Sequence, residues 1–142
     1  MKILATLSII ILAFLIPACG GKKEVKRPSP EAILIKNAFN VAEKIKNAYL
    51  RKDRDALKQY CTKEGYLTII SSMKEFDSAT LNFQLRWADI KKDKIILYVY
   101  WKGTWWFRGK MYEDTGLSAF TFRGTTPRLS DILRANPFSN PL

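Results

Sequence analysis

The sequence predicts an α+β domain in which N-terminal helices pack on a curved antiparallel sheet. The first observation is that apolar residues recur at spacings of three and four between Leu34 and Tyr49, which is the stripe of an amphipathic helix. The second is that, from Ser78 onwards, apolar residues recur at every second position, as they do in a half-buried strand. Helices that come first and strands that follow favour segregated layers over alternating helix–strand units.

Three helices are predicted before the sheet. Ser29 is a suitable N-cap because a proline and a glutamate follow it, and the apolar stripe of this helix continues to about Lys52. Asp53 then caps a short second helix. A third helix is predicted from Thr62 to Phe76.

Four strands are predicted after the helices. The first begins near Ser78, and its inward face is expected to carry Leu81, Phe83, Leu85 and Trp87. The second is the longest, and Gly103 in its middle predicts a bulge or bend. The second, third and fourth strands are predicted at Ile95 to about Arg108, Glu113 to Gly124 and Arg128 to Leu133. A tail is predicted at Ala135 to Leu142.

The first 18 residues have the three parts of a secretory signal peptide. Lys2 supplies a positive charge, Ile3–Ile16 carries no charge, and Pro17 ends any helix before the small residue Ala18. The uncharged run is shorter than the roughly 20 apolar residues that a membrane-spanning helix needs. The segment Ile16-Pro17-Ala18-Cys19, which ends one residue after this signal, resembles the lipobox of bacterial lipoproteins. Pro17 differs from the small residue that is usual at its position in the lipobox.

The lipobox resemblance divides the chain into three parts. They are a signal peptide at 1–18, an acylated Cys19 with a flexible basic tether at 19–29, and a domain at 30–142. The resemblance implies that Cys19 carries lipid and holds the domain outside a bacterial membrane, the outer one where there are two. An ordinary cleaved secretory signal and an uncleaved anchor are the alternatives.

The chain is basic, with 24 Lys and Arg against 13 Asp and Glu and a formal net charge of +11. Basic chains bind nucleic acid, anionic lipid or acidic polymers. An export signal argues against nucleic acid, and no zinc-finger spacing or RNA-binding aromatic pattern is present. Two interpretations stand for the basic residues after the lipobox: they lie along anionic headgroups, or they form a solvated linker. These residues are Lys22, Lys23, Lys26 and Arg27.

The chain contains no histidine, which excludes His–Asp dyads, histidine-containing triads and histidine metal sites. No cofactor and no metal site is predicted. There is no glycine-rich phosphate loop, and Glu113 and Asp114 are adjacent, so they point to opposite faces of a strand. Cys61 is the only cysteine besides Cys19, and it follows apolar residues on a predicted helix face. We therefore expect its thiol to be buried and unreactive.

Several local patterns follow one another along the predicted domain. They are Ala48-Tyr49-Leu50, Lys52-Asp53-Arg54-Asp55-Ala56-Leu57, Trp101-x-Gly103-x-Trp105, Phe120-Thr121-Phe122 and Leu129-Ser130-Asp131-Ile132. With the order of helices and strands, they resemble the NTF2-like superfamily, also called SnoaL-like, over about Pro30 to Phe138. The resemblance implies a cystatin-like α+β cone, a sheet curved around an interior that a helix closes.

The resemblance also implies candidate catalytic residues. Isomerases of this superfamily use an aspartate base with tyrosine and acid donors in an apolar cone. The residues of this chain that fit such a set are Tyr49, Asp77, Asp89 and Asp131. Asp77 and Asp89 are the candidates for the base, and Asp89 shares the parity of Leu85, so we expect it to point inward. The alternative is an ordinary turn-flanking aspartate beside the hairpin lysines.

The aromatic residues form two predicted groups. The candidates for lining the inside of the cone are Tyr49, Trp87, Trp101 and Trp105. They form either a pocket for a flat or apolar ligand or a filled core. The opposite sheet face is predicted to carry Tyr98, Tyr100 and Trp106. An aromatic face of this kind predicts contact with a second copy or another protein, and sheet faces commonly mediate dimers in the resembled superfamily.

These observations lead to one expected function and two alternatives. We expect a membrane-anchored lipoprotein of the cell envelope whose domain is a non-enzymatic module for binding an apolar small molecule or a protein partner. The first alternative is an envelope enzyme, an isomerase or dehydratase with carboxylate acid–base chemistry in the cone. The second is a structural envelope component held by the aromatic sheet face.

Overall fold

The computed structural model describes residue 21 and residues 24–141 of the chain, so the predicted signal peptide and Cys19 lie outside the described residues. Three helices precede four strands in the described range. They are α1 (Pro30–Leu50), α2 (Arg54–Tyr60), α3 (Lys63–Ser72), β1 (Ser78–Ile90), β2 (Lys94–Phe107), β3 (Lys110–Arg123) and β4 (Arg128–Arg134), and a short 3₁₀ helix (Pro137–Ser139) follows. None of the helices among the described residues combines the length and apolar character needed to cross a membrane.

Each α-helix begins at a side-chain cap. The hydroxyl oxygen of Ser29 accepts a hydrogen bond from the amide of Ala32 at 3.1 Å, which fixes the start of α1. Asp53 caps α2 and Thr62 caps α3 in the same way. The predicted starts of all three helices therefore agree with the structure, because each rests on a short-range contact.

Helix α3 ends at Ser72, four residues before the predicted end at Phe76. The hydroxyl of Ser72 donates to the carbonyl of Thr68 at 2.9 Å and accepts a hydrogen bond from the side-chain amide of Asn136 at 3.1 Å. Phe76 is buried instead, with its ring centroid 5.2 Å from that of Tyr49. The chain leaves the helix early because this ring is drawn into the core.

The four strands form one antiparallel sheet in the order β1-β2-β3-β4, as the sequence predicts. A tight turn at Arg108 and Gly109 joins β2 to β3, and both residues have positive φ angles, of 49° and 74°. Two-residue hairpin loops of type I′ have positive φ at both positions. The register of the sheet shifts twice, between Leu85 and Trp87 and between Thr121 and Phe122.

The bulge predicted at Gly103 is wrong, since β2 pairs through this residue with both neighbouring strands in continuous register. Gly103 instead leaves space for the indole of Trp105. A Cβ atom on Gly103 would lie 2.1 Å from the indole Cη2 atom. In β3, Gly116 leaves space for Trp101 in the same way, since its Cβ would lie 2.7 Å from the indole Cζ2 atom.

Helix α1 covers one face of the sheet, called here the inner face, and the other is called the outer face. The helix contributes the buried residues Ala38, Ala42, Ile45, Ala48 and Tyr49. The inner face contributes Leu81, Leu97, Val99, Trp101, Trp105, Phe120, Phe122 and Ile132. The outer face carries Trp87, Ile96, Tyr98, Tyr100, Trp106, Met111, Ala119, Thr121 and Leu133.

Candidate functional site

Three of the predicted pocket residues meet inside the cone. Tyr49 lies at the end of α1, and the indole Nε1–H of Trp105 donates a hydrogen bond to its hydroxyl at 2.9 Å. The rings of Trp101 and Trp105 meet edge to face, with centroids 6.3 Å apart. All three side chains are at most 1% exposed. Of the two interpretations left open by the sequence, the structure shows a filled core at these residues.

The predicted tail closes the open end of the cone and is part of the core. Phe138 is buried, and its ring centroid lies 4.9 Å from that of Tyr49 and 6.2 Å from that of Phe120. The indole Nε1–H of Trp101 donates to the carbonyl of Ala135 at 3.0 Å. The segment after β4 thus packs against aromatic residues of the cone interior.

Trp87 lies on the outer face, so the prediction that it shares the inner face with Trp101 and Trp105 is wrong. The register of β1 against β2 shifts between Leu85 and Trp87, which leaves Arg86 as the extra residue of a β-bulge. A shift of one residue moves every later side chain of the strand to the other face. Trp87 is therefore 48% exposed.

The candidate catalytic aspartates do not face the cone. The same register shift turns Asp89 to the outer face opposite Ile96, where it is exposed, so its predicted inward orientation is wrong. Asp77 precedes β1, and its carboxylate accepts a hydrogen bond from the amide of Arg108 at 2.8 Å. This contact holds the β2–β3 turn. The carboxylate of Asp131 accepts a hydrogen bond from the next residue's amide at 2.8 Å.

Metal-binding geometry is not assembled in the part of the chain that the structure describes. No group of three or more Cys, Asp or Glu side chains there comes together in a way that could hold a metal ion. Glu113 lies opposite Thr104 and Asp114 opposite Gly103, at successive positions of β3. Their side chains therefore point to opposite faces of the sheet.

Burial sets the protonation of two groups in the core. Burial raises the pKa of Tyr49 from 10.0 to about 12, and the hydrogen bond from Trp105 lowers it by less. The phenol therefore keeps its proton and donates to the carbonyl of Asn140 at 3.2 Å. Cys61 is buried as predicted, and burial raises the pKa of its thiol from 9.0 to about 12, against a smaller lowering by the charge of Arg128. A protonated, buried thiol is a poor nucleophile.

The three interface candidates lie on the outer face. Trp87 stacks on Tyr98, with ring centroids 4.4 Å apart and planes inclined by 17°. The guanidinium carbon of Arg86 lies 5.0 Å from the ring centroid of Tyr100. Trp106 lies near the C-terminal end of β2, the strand that carries Tyr98 and Tyr100, and it is 37% exposed. The register shift thus adds Trp87 to the aromatic face that the sequence predicted for β2.

A groove of about 740 Å³ runs along the outer face between the sheet and α3. Its apolar lining consists of Ile96, Tyr98, Ala119 and Leu133. Its charged lining, of both signs, consists of Lys94, Arg123, Arg134, Glu64 and Asp131. The guanidinium carbon of Arg134 lies 5.5 Å from the ring centroid of Tyr98. An apolar centre with a charged rim is the usual composition of a protein-binding surface.

Sequence reasoning missed the C-terminal closure of the cone, although a local signal for it exists. Asn136 precedes Pro137, and its side-chain oxygen accepts a hydrogen bond from the amide of Phe138 at 2.9 Å. This is a cap that begins a short helical turn. A capped turn that presents an aromatic side chain indicates an ordered segment rather than a tail.

Comparisons with known proteins bear on the fold. No protein-family model matches the chain, and no curated protein matches it. Among solved structures, the chain is similar to a nuclear transport factor 2 (NTF2-like) superfamily protein from Salmonella enterica subsp. enterica serovar Typhimurium str. LT2, with a TM-score of 0.60 and 13% identity over 75% of this chain and 93% of that one. Likeness at this identity concerns the fold and not the activity. With its three helices on a curved four-stranded antiparallel sheet, the domain has the predicted NTF2-like α+β fold.

Proposed function

We propose that this protein is a lipid-anchored module of the bacterial cell envelope that binds a second copy of itself through the outer face of its sheet. The observation that carries the proposal is the stack of the exposed Trp87 on Tyr98, which itself lines a groove with apolar and charged residues. The aromatic residues Tyr49, Trp101 and Trp105 are packed inside the cone, whereas Trp87 of the outer face is exposed. Exposed apolar patches on a small domain commonly mark contact with another macromolecule.

The charges of the outer face support contact between two copies. Arg86 and Lys102 lie on this face with Asp89 and Glu113, so both signs are present. In a two-fold symmetric contact the same patch meets itself, and each cation of one copy can meet an anion of the other. A face with a single sign of charge would repel its own copy.

The test of the face compares two substitutions at positions of similar exposure. Leu133 on the outer face is 55% exposed, and Ile33 on the solvent side of α1 is 46% exposed. We expect Leu133→Arg to weaken dimerisation by about tenfold or more, because it would bury a charge in the apolar part of the contact. Ile33→Arg should leave it unchanged. Sedimentation equilibrium of the chain from residue 19, with Cys19→Ser to prevent acylation, measures both. A parent chain that stays monomeric at high concentration would contradict the dimer.

The anchor is tested separately. We expect the full chain to be recovered with membranes and to incorporate labelled palmitate at Cys19, because each buried CH₂ of an acyl chain contributes about 0.8 kcal/mol. The full chain with Cys19→Ser should lose the label. Equal labelling of both chains, or an unprocessed precursor in the cytosol, would contradict lipid anchoring while leaving the sheet-face test intact.

No observation in the described structure favours the enzyme alternative. Asp77 holds a turn through Arg108, and Asp89 is exposed on the outer face. The hydroxyl of Tyr49, the tyrosine that the resemblance assigns to the same site, is hydrogen-bonded to Trp105 and to the carbonyl of Asn140 instead. Within the described part of the chain, neither candidate base therefore lies at a hydrogen bond with this tyrosine.

A further inference from the structure

Three segments of the domain meet at one end of the sheet. The start of α1, the β1–β2 hairpin and the β3–β4 turn line one shallow cleft of about 320 Å³. Its lining includes Leu34 from the helix, residues 90–95 from the hairpin, and Phe122, Gly124 and Thr125. The amide of Lys91 donates to the carbonyl of Lys94 at 2.8 Å, which holds the hairpin. We call this end of the domain the entry end, because the chain enters the fold here at Pro30.

The entry end exposes aliphatic side chains. Ile33 is 46% exposed, Leu34 39% and Ile90 37%. Ile33 and Leu34 belong to the first turns of α1, before its buried stripe begins at Ala38. The described residues leave both side chains partly exposed. Aliphatic side chains beside a charged surface can bury themselves at the boundary between lipid headgroups and acyl chains.

The entry end also carries an excess of positive charge. Its cleft is lined by three lysines, Lys91, Lys92 and Lys94, and by one carboxylate, Asp93. Asp93 makes a salt bridge with Arg123, so this pair contributes no net charge. Lys91, Lys92 and Lys94 make no salt bridge to any described residue. Three lysines on one hairpin beside aliphatic residues complement an anionic headgroup layer.

The position of Cys19 in the sequence places the entry end near the membrane if that residue is acylated. Pro30 lies eleven positions after Cys19 in the sequence. A chain of this length spans at most about 40 Å when fully extended, and roughly 18 Å on average when flexible. The entry end is therefore the part of the domain that the tether holds closest to the anchoring leaflet.

We propose that the entry end lies on the anionic phospholipid surface of the anchoring membrane, with Lys91, Lys92 and Lys94 at the phosphates and Ile33, Leu34 and Ile90 at the headgroup boundary. This orientation rests on the proposed lipid anchor. It directs the outer face sideways, where a second copy on the same membrane can reach it.

The experiment measures vesicle binding without the lipid anchor, so that its result is independent of acylation. The chain from residue 19 with Cys19→Ser keeps the tether and the whole core, since every buried core residue lies between Ala38 and Phe138. It is sedimented with vesicles of phosphatidylcholine alone and with vesicles that contain equal parts of phosphatidylglycerol. We expect binding to the anionic vesicles only, and weaker binding at higher salt.

The decisive comparison is between two triple variants of equal net charge. Lys91→Gln with Lys92→Gln and Lys94→Gln should weaken binding to the anionic vesicles by about tenfold or more, because each basic residue at the surface contributes on the order of 1 kcal/mol. The control replaces Lys63, Lys74 and Lys110 by Gln, which are exposed lysines outside the entry end. It should weaken binding by about threefold or less. Circular dichroism verifies that both variants are folded.

A second pair of substitutions tests the aliphatic contact. Ile33→Asn with Ile90→Asn keeps the charge and should weaken binding to the anionic vesicles severalfold. Equal loss in the two lysine variants would overturn the proposal, because binding would then follow net charge alone. Absence of binding by the parent chain, or equal binding to neutral vesicles, would also overturn it. A chain that binds through the entry end but is never acylated in cells would instead contradict only the proposed anchor.

Discussion

The indole nitrogen of Trp105 donates a hydrogen bond to the hydroxyl of Tyr49 at 2.9 Å, which joins two residues 56 positions apart. The hydroxyl donates in turn to the carbonyl of Asn140, so α1, β2 and the C-terminal segment are linked inside an apolar core. Every buried side-chain nitrogen and oxygen among the described residues has a hydrogen-bond partner. Removing one member of such a chain leaves another buried group unpaired.

Replacing Tyr49 by phenylalanine removes the hydroxyl and keeps the ring. We expect the free energy of unfolding to fall by about 1–3 kcal/mol, since the Trp105 donor loses its acceptor in the core. Urea denaturation measures the change. The control is Tyr112→Phe, whose half-buried hydroxyl makes no hydrogen bond to any described residue, and it should change stability by less than about 0.5 kcal/mol. Equal losses in the two variants would contradict the buried network.

Truncating Phe138 tests whether the C-terminal segment is part of the core. Phe138→Ala should lower the free energy of unfolding by about 3–5 kcal/mol, because a fully buried aromatic ring is removed. Thermal and urea unfolding measure the loss. Ile33→Ala, at a half-exposed site of α1, should cost less than about 1 kcal/mol. If the two substitutions cost the same, the segment does not close the cone.

Two tryptophans that look equivalent in the sequence should differ in their contribution to stability. Trp101→Ala removes a buried indole and should lower the free energy of unfolding by about 3–5 kcal/mol. Trp87→Ala removes a half-exposed indole with one stacked partner, so we expect a loss of about 1 kcal/mol. Urea denaturation at a low protein concentration compares them. A loss for Trp87→Ala as large as that for Trp101→Ala would place Trp87 on the inner face.

Gly65 lies in α3, and replacing it by alanine should not stabilise the domain. A Cβ atom there would lie 2.0 Å from the carbonyl oxygen of Leu129, because α3 approaches β4 closely at this point. Alanine ordinarily stabilises a helix by about 1 kcal/mol over glycine. We expect Gly65→Ala to destabilise the domain by about 1–3 kcal/mol instead, by urea denaturation. Ser71→Ala on the exposed side of α3 is the control and should be nearly neutral. A stabilised Gly65→Ala chain would show that the two elements are not in contact.

The burial of the Cys61 thiol leads us to expect a loss of stability at alkaline pH. Its pKa is raised by burial from 9.0 to about 12, so the unfolded chain releases the proton first and the folded chain resists its release. This contribution is fully present below pH 9 and is lost as the pH rises towards 12. The difference in unfolding free energy between the parent chain and Cys61→Ala should therefore be constant below pH 9 and shrink above it. A constant difference up to pH 11 would contradict a buried thiol.

The elements were predictable from the sequence where short-range contacts decide them. The caps at Ser29, Asp53 and Thr62 lie within three residues of the amides that they bind, so the sequence alone reveals the helix starts. The antiparallel meander follows from the period of two and from short connections between strands. The end of α3 was not predictable in this way, since the ring of Tyr49 draws Phe76 into the core from a distant part of the chain.

The candidate site was less predictable because one extra residue in β1 moves the later side chains of this strand to the other face of the sheet. Leu85 and Trp87 keep the alternating pattern, and nothing in that pattern reveals that Arg86 is an extra residue. The stack on Tyr98 belongs to the neighbouring strand, so it is visible only after the strands have been paired. The same shift turns the side chain of Asp89 to the outer face. This is why the prediction that Asp89 points inward is wrong.

The closure of the cone by Phe138 and Asn140 sets the order in which the protein can be completed. Both residues follow the last strand in the sequence, and until they are made Tyr49 lacks its carbonyl partner and the neighbouring ring of Phe138. Packing is finished only when this segment docks. Until then Tyr49 lacks two of its core contacts, so we expect a chain whose last segment has not docked to be less stable than the finished domain.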